Sequence, residues 1–301
     1  MTANHAFRFG VVANQVSSGE EWLALARRAE SLGFSTFLMP DTMESGPRAT
    51  MAALPALAMA AAVTDTLRLG TYVLNNNFRN PVLLARESAT VDLLSGGRFE
   101  LGLGAGHSNP DEYGRLGIPS YSASARVTRL ADSVALIKAL FDAQRVDAPD
   151  GSYPVSGADV FPQTVQRPPL LIAGAGNRLL ELAGRTADIV AFGGNVTDPD
   201  TVAGFVERVR RAAESRFEEL ELSMNLIVAG ERPDPAVAAF LGPHLDTLMR
   251  SGSLRVLSGT PQQMCDELLA RREKLGITYW TVPAPLMDAI APVIEHLSNR
   301  N

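Results

Sequence analysis

The chain has 301 residues, is 46% hydrophobic, carries a formal charge of −6 and holds one cysteine. That length suits one large barrel or two ordinary domains, and a single cysteine, Cys265, excludes an internal disulfide and a multi-cysteine metal site, so no metal is expected. The acidic balance argues against nucleic acid, the most apolar stretch (51–63, with Pro55) is too short to span a membrane, and with no leader pattern at its start the sequence predicts a cytoplasmic protein.

Residues 8–13 (RFGVVA) predict a strand. Residues 20–32 predict a helix, with Trp22, Leu23, Leu25, Ala26 and Ala29 at helical spacing and Gly33 as its stop. A second strand spans 35–39 and ends at Pro40-Asp41. An alanine-rich helix follows at 49–62, then a third strand at 66–74 and the polar loop Asn75-Asn76-Asn77-Phe78-Arg79. Residues 81–94 predict a helix with proline in its first turn, and 98–103 a fourth strand. This alternation is the signature of a parallel sheet covered by helices. A long helix at 123–141 comes next, and 147–166, rich in Gly, Pro and Ser, reads as an inserted extended segment or hairpin. Then follow a strand at 170–173, a helix at 178–185, a strand at 187–192, a helix at 199–216 and a strand at 220–229. A helical insertion at 233–251, a helix at 261–275, a strand at 278–282 and a helix at 286–297 complete the chain.

Eight strand–helix units predict an α/β fold of the (β/α)8 TIM-barrel type, one domain over 1–301 with insertions near 147–166 and 233–253. A doubly wound sheet is the alternative, but it needs a break into two domains, and no linker composition marks one. In a barrel every loop after a strand faces one mouth. Asp41, Tyr72 to Asn77, Gly104 to Asn109, Gly174 to Asn177 and Gly193 to Asn195 would meet there.

That convergence is the main functional argument, and the chain is arranged around the stretch 95–113 (SGGRFELGLGAGHSNPDEY), whose glycine pattern is weak evidence on its own. A buried strand runs into Gly104-Ala105-Gly106, a loop of nearly bare backbone at the carboxyl end of a sheet, where phosphates and carboxylates are held. The same glycines can instead mark close backbone packing. Gly174-Ala175-Gly176-Asn177 precedes a helix and either aims N–H groups at an anion or makes a tight turn. His107 either moves a proton near neutral pH or is an idle surface histidine. Asp41 either bonds a ring N–H or caps the next helix. The three asparagines suit a polar heterocycle or an ordinary solvated loop. Glu112, Tyr113, His5, His244 and His296 read as surface or packing residues, and Arg126 and Arg129 as a solvated helix face or as partners of an anionic tail.

Four segments together resemble the luciferase-like family of flavin- and deazaflavin-dependent oxidoreductases: 22–41 (WLALARRAESLGFSTFLMPD), 67–106, 168–190 and 258–282. The resemblance covers nearly the whole chain and is nearest to the actinobacterial subgroup assigned to coenzyme F420. It implies a luciferase-like barrel with an insertion after the fourth strand and a cofactor across the mouth. Its phosphate would lie on the loops of Gly104, Ala105 and Gly106 and of Gly174, Ala175, Gly176 and Asn177. It also implies a non-prolyl cis peptide at Tyr72-Val73, behind the central cofactor ring, with Asp41 and Asn75 polarising that ring. Two departures stand out. Many F420 members have an Asp-His pair where this chain has Asp41-Thr42, and a sugar-phosphate dehydrogenase branch has a glutamate acid where this chain has His107. The expectation is an F420-dependent oxidoreductase that moves a hydride between the deazaflavin and a small organic substrate, with His107 as proton-transfer residue. An FMN-dependent monooxygenase using O2 is the alternative, and a non-catalytic flavin-binding barrel a second. A homodimer is what the family suggests.

Overall fold

The computed structural model describes residues 5–14, 16–43, 50–107, 109–142, 145–193 and 198–298. In chain order the elements are β1 (Arg8–Val12), α1 (Gly19–Ser31), β2 (Thr36–Met39), α2 (Ala53–Ala61), β3 (Arg68–Thr71), β4 (Leu74–Asn75), α3 (Pro81–Leu94) and β5 (Phe99–Gly104). There follow α4 (Pro110–Arg115), α5 (Ala123–Asp142), β6 (Val146–Ala148), β7 (Val155–Ala158), β8 (Leu170–Gly174), α6 (Asn177–Thr186), β9 (Ile189–Phe192) and α7 (Pro199–Ala213). The chain ends with β10 (Glu221–Asn225), β11 (Val228–Gly230), α8 (Pro235–Leu241), α9 (His244–Arg250), β12 (Val256–Ser258), α10 (Pro261–Leu275), β13 (Ile277–Pro283) and α11 (Met287–Ser298).

The main sheet runs β3-β2-β1-β13-β10-β9-β8-β5-β4, and a further β3–β5 pairing closes it. With β3 and β4 as one interrupted strand this is a closed eight-stranded parallel barrel surrounded by helices, the (β/α)8 fold that the alternation of elements predicts. The segment 147–166 contains a short antiparallel pair, β6–β7.

Four boundaries differ from the expectation. The third strand breaks, β3 ending at Thr71 and β4 beginning at Leu74. The Thr71 hydroxyl bridges the gap to β5: it donates to the Gly102 carbonyl and accepts from the Gly102 N–H, both at 2.8 Å. The 49–62 helix begins at Ala53, because Ala52, three residues before Pro55, is still extended; Ala49 lies outside the described residues. The 199–216 helix stops at Ala213, where Glu214 turns to φ 54° and Arg216 reaches back to the carbonyls of Gly184, Arg185 and Ala187. The 220–229 strand divides because the chain changes partner. Leu226 donates to the Thr281 carbonyl of β13, but Ile227 and Val228 donate to Arg255, at the start of the β12 arm. The helix α4 and the strand β12 have no counterpart in the sequence reading.

Contacts group the chain into two compact units. One comprises Asn14–Ala24 and Leu38–Ala173. Within it the Trp22 indole N–H donates to the Ala56 carbonyl, fixing α1's start on α2. Arg98, at the entry to β5, donates to the carbonyls of Ala61, Leu67 and Ser95 and to the Thr64 hydroxyl. One guanidinium so ties the end of α2 to the beginning of β3. The other unit comprises Met1–Ala13, Leu25–Phe37 and Gly174–Asn301. There Arg8 pairs with Glu221 at 2.9 Å and lies over the Tyr279 ring. Buried Arg271 holds the carbonyls of Leu254 and Val256. Cys265 is fully buried in α10, as packing requires and a nucleophile does not.

Candidate active site

A polar knot forms where β4 and β5 end. Its first piece is Asp41, after β2. Arg79 grips both of its carboxylate oxygens, one at 3.1 Å and the other in a shorter contact, and the Asn75 N–H donates to it at 3.1 Å. Asp41 is therefore neither a helix cap nor a free acceptor: its oxygens hold the asparagine loop in place. The Asn75 side chain is equally committed. Its carbonyl accepts from the Asn77 N–H at 3.0 Å, and its amide donates to the Tyr113 hydroxyl at 3.0 Å. Asn76 donates to the Tyr153 hydroxyl, and Asn77 to the Ala105 carbonyl at 2.9 Å. The loop is buried, not solvated.

Each glycine of the following loop answers to a different neighbour. A Cβ on Gly102 would lie 1.9 Å from the Thr71 carbonyl oxygen, and one on Gly104 2.9 Å from Val73, so these two permit close strand packing. Gly106 sits on the knot itself. Its φ is +77°, and a Cβ there would lie 2.4 Å from Asn75 Oδ1, 2.7 Å from the Tyr113 hydroxyl and 2.8 Å from Asn77 Nδ2. The peptide between Tyr72 and Val73 is cis, at the position that the family resemblance implies.

Beyond the loop comes His107, its side chain 46% exposed, with Nε2 2.9 Å from Glu112 Oε2. Its ring lies 5.7 Å from that of Tyr113, and Tyr113 meets Phe78 edge-on at 5.5 Å. Glu112 and Tyr113, read from sequence as surface or packing residues, are each 1% exposed and belong to this cluster. They stand on α4, a helix of six residues with Asn109 as its N-cap and Pro110 in its first turn. That cap signal is present in the sequence; the helix is too short to show periodicity. Arg129 is not on a solvated face either, for its guanidinium lies over the rings of Tyr121 and Tyr153 at 4.3 and 4.5 Å. Burial raises the Tyr153 hydroxyl pKa, so it stays protonated at neutral pH.

The second glycine loop belongs to the other unit. Gly174 ends β8, and a Cβ there would lie 2.1 Å from Leu179, which makes it the glycine of a tight strand-to-helix turn. Ala175 leads to Gly176, the N-cap of α6 with no side-chain cap and open space at its Cβ position. Asn177 opens α6. Gly193 donates to the Gly174 carbonyl, whereas Gly194 and Asn195 lie outside the described residues. Among the described residues no group of three His, Cys, Asp or Glu could hold a metal, and no helix is long and apolar enough to cross a membrane.

The family profile of the luciferase-like monooxygenases matches residues 6–247. The chain belongs to this family. An F420-dependent glucose-6-phosphate dehydrogenase of Beutenbergia cavernae is 34% identical over 171 residues, 55% of this chain and 50% of that protein. The chain spans about half the length of the first such relatives it matches. Among solved structures, the coenzyme F420-dependent tetrahydromethanopterin reductase of Methanopyrus kandleri is 19% identical with a TM-score of 0.79, covering 98% of this chain and 99% of that one. The monooxygenase RslO1 of Streptomyces bottropensis is 21% identical with a TM-score of 0.77, covering 97% and 98%. At these identities the two structures speak for the fold, which hosts more than one chemistry.

Proposed function

We propose that the protein is an F420-dependent oxidoreductase acting on a small organic substrate. The observation that carries the reading is the F420 dependence of its relatives at 31–34% identity. The residues present suit such a cofactor. Asn77 Oδ1 is buried without a protein partner among the described residues, beside the 104–106 loop, an acceptor left for a polar ligand. Gly176 offers an uncapped helix start with open space among the described residues. When bound, F420 supplies the hydride-carrying ring. The chain's own part is to hold the loops rigid through Asp41 and Arg79, to bury the amides of Asn75 and Asn77, and to exchange a proton at His107. The sugar phosphate that the relatives act on is not carried over, because His107 stands where that branch has a glutamate.

Titration of the apo-protein with F420 and, separately, FMN tests the reading. Selective F420 binding, with no consumption of O2 by the reduced holoenzyme, is expected. Selective FMN binding with O2 consumption would point to the monooxygenase chemistry of the other branch, and tight binding without turnover of any substrate to a non-catalytic barrel. His107→Ala is expected to cost roughly 100-fold or more in turnover with little change in cofactor affinity. A homodimer formed through the outer face of α2 and α3 belongs to the same proposal. The helix α2 has no charged residue, and the exposed side of α3 sets Arg86 and Glu87 beside Leu83 and Leu94, a surface of both signs able to meet its own copy across a twofold axis.

A further inference from the structure

Glu112 is a carboxylate with 1% exposure next to a half-exposed imidazole, and its two oxygens face two different loops. Oε1 accepts the Met43 N–H at 3.3 Å, on the loop after β2. Oε2 lies 2.9 Å from His107 Nε2, yet among the described residues it has no partner in hydrogen-bond geometry. The atoms are at contact distance but out of line, so a modest turn of the ring completes the bond. A buried carboxylate oxygen without a donor is costly. The imidazole is the group within reach that can satisfy it.

We propose that Glu112 is a positioning residue for His107: it takes the Nε2–H, fixes that tautomer and leaves Nδ1 as the atom that exchanges a proton in the site. The inference rests on the reading of His107 as the proton-transfer group. It also accounts for the family departure at Asp41-Thr42. Among the described residues, the loop that carries a histidine in other members here gives Glu112 the backbone N–H of Met43, and the imidazole comes instead from the loop after β5. An ionised carboxylate only accepts, so the tautomer follows from the chemistry of the partner.

Glu112→Gln tests the assignment. The glutamine carbonyl can keep the Met43 bond, and its NH2 then faces Nε2 as a donor, which inverts the tautomer to Nδ1–H. Four measurements on the full chain read this out: 15N NMR of the His107 ring in the apo-protein, titration with F420, turnover of the F420-loaded enzyme, and a thermal melt as a check on folding. The expected result is an inverted tautomer, a fall in kcat of about tenfold or more, F420 affinity within about twofold, and no further fall when Glu112→Gln is added to His107→Ala. An unchanged ring spectrum in folded Glu112→Gln overturns the proposal, as does a fall in kcat that is equally large in the His107→Ala background. If the tautomer inverts but His107→Ala leaves turnover intact, the contact is real and it is the proton-transfer role of His107, and with it the catalytic purpose assigned to Glu112, that fails.

Discussion

Arg79 closes a two-pronged ion pair on Asp41, and the oxygen in its shorter contact also receives the backbone N–H of Asn75. One carboxylate so links the ends of β2 and β4 and the first turn before α3. Asp41 is nearly buried and Arg79 is about one-fifth exposed, so removal of the cation leaves a desolvated charge behind. Arg79→Leu is expected to lower unfolding stability by roughly 3 kcal/mol and to weaken cofactor binding, because the Asn75–Asn77 loop loses its anchor. Arg79→Lys should recover only part of each, since lysine lacks the planar fork. Urea unfolding and cofactor titration of both variants check this.

Two glycines, one in each loop, give opposite expectations for packing. Gly106→Ala places a Cβ among Asn75, Tyr113 and Asn77 at a positive φ. It is expected to cost about 1–3 kcal/mol and to disturb cofactor binding with it. Gly176→Ala meets open space at φ −74°, so the fold should change by less than about 1 kcal/mol. If α6 receives the cofactor's phosphate, F420 binding to Gly176→Ala nonetheless weakens by about tenfold while the melt stays put. Unchanged affinity in that variant would remove the 174–177 loop from the binding site.

Where the sequence was legible, a local signal sufficed. The limits of α3 and α10 match the expectation because Asn80-Pro81 and the capping box of Thr260 with Gln263 start them, and Gly276 in the left-handed region stops the second. The barrel followed from alternation, as the closed strand order shows. The roles of the site residues were not legible, because the contacts that decide them are distant in sequence. Tyr113 meets Asn75 across 38 residues, and Glu112 meets Met43 across 69. Nothing local distinguishes this buried glutamate from a solvated one. The glycines carry both readings in sequence; at 102, 104 and 174 the structure shows the close packing that a glycine pattern shares with a phosphate loop.

Asp92 gives a dependence on pH that is independent of the site. It is fully buried at the end of α3, where Oδ2 accepts the Val165 and Gln166 N–H groups, the Phe99 N–H lies near enough to lower its pKa, and Oδ1 completes no hydrogen bond among the described residues. Burial raises its pKa above the ordinary 3.8, against the lowering by those backbone bonds and by Arg68. A carboxyl whose folded pKa is raised contributes stability that is full below the unfolded pKa and is lost as pH rises through the folded one. Asp92→Asn keeps a carbonyl for the Val165 N–H and removes the charge. Its stability relative to the parent should therefore improve from about pH 4 to pH 7, read by urea unfolding along that range. A gap that does not change with pH would mean that the fold does not raise the carboxyl's pKa.

The outer face of α2 and α3 makes the last prediction. Leu94 is 64% and Leu83 58% exposed, Leu93 and Met59 are exposed beside them, and a groove of about 400 Å³ lined by Ala52, Pro55, Ala58, Arg79, Glu87 and Leu94 runs along them. Apolar surface left in water costs about 25 cal/mol per Å², a driving force that a second copy can relieve. Leu83→Glu with Leu94→Glu places four like charges at a twofold contact and only two solvated ones on a monomer. Sedimentation is expected to show a dimer for the parent and a monomer for the double variant, with the melt of the monomer lowered and made independent of protein concentration. A parent that sediments as a monomer at all concentrations would remove the dimer. A double variant that still dimerises would move the contact to another face. Because Arg79 lines the groove and also holds Asp41, the monomeric variant should bind cofactor more weakly than the parent although neither leucine touches the site.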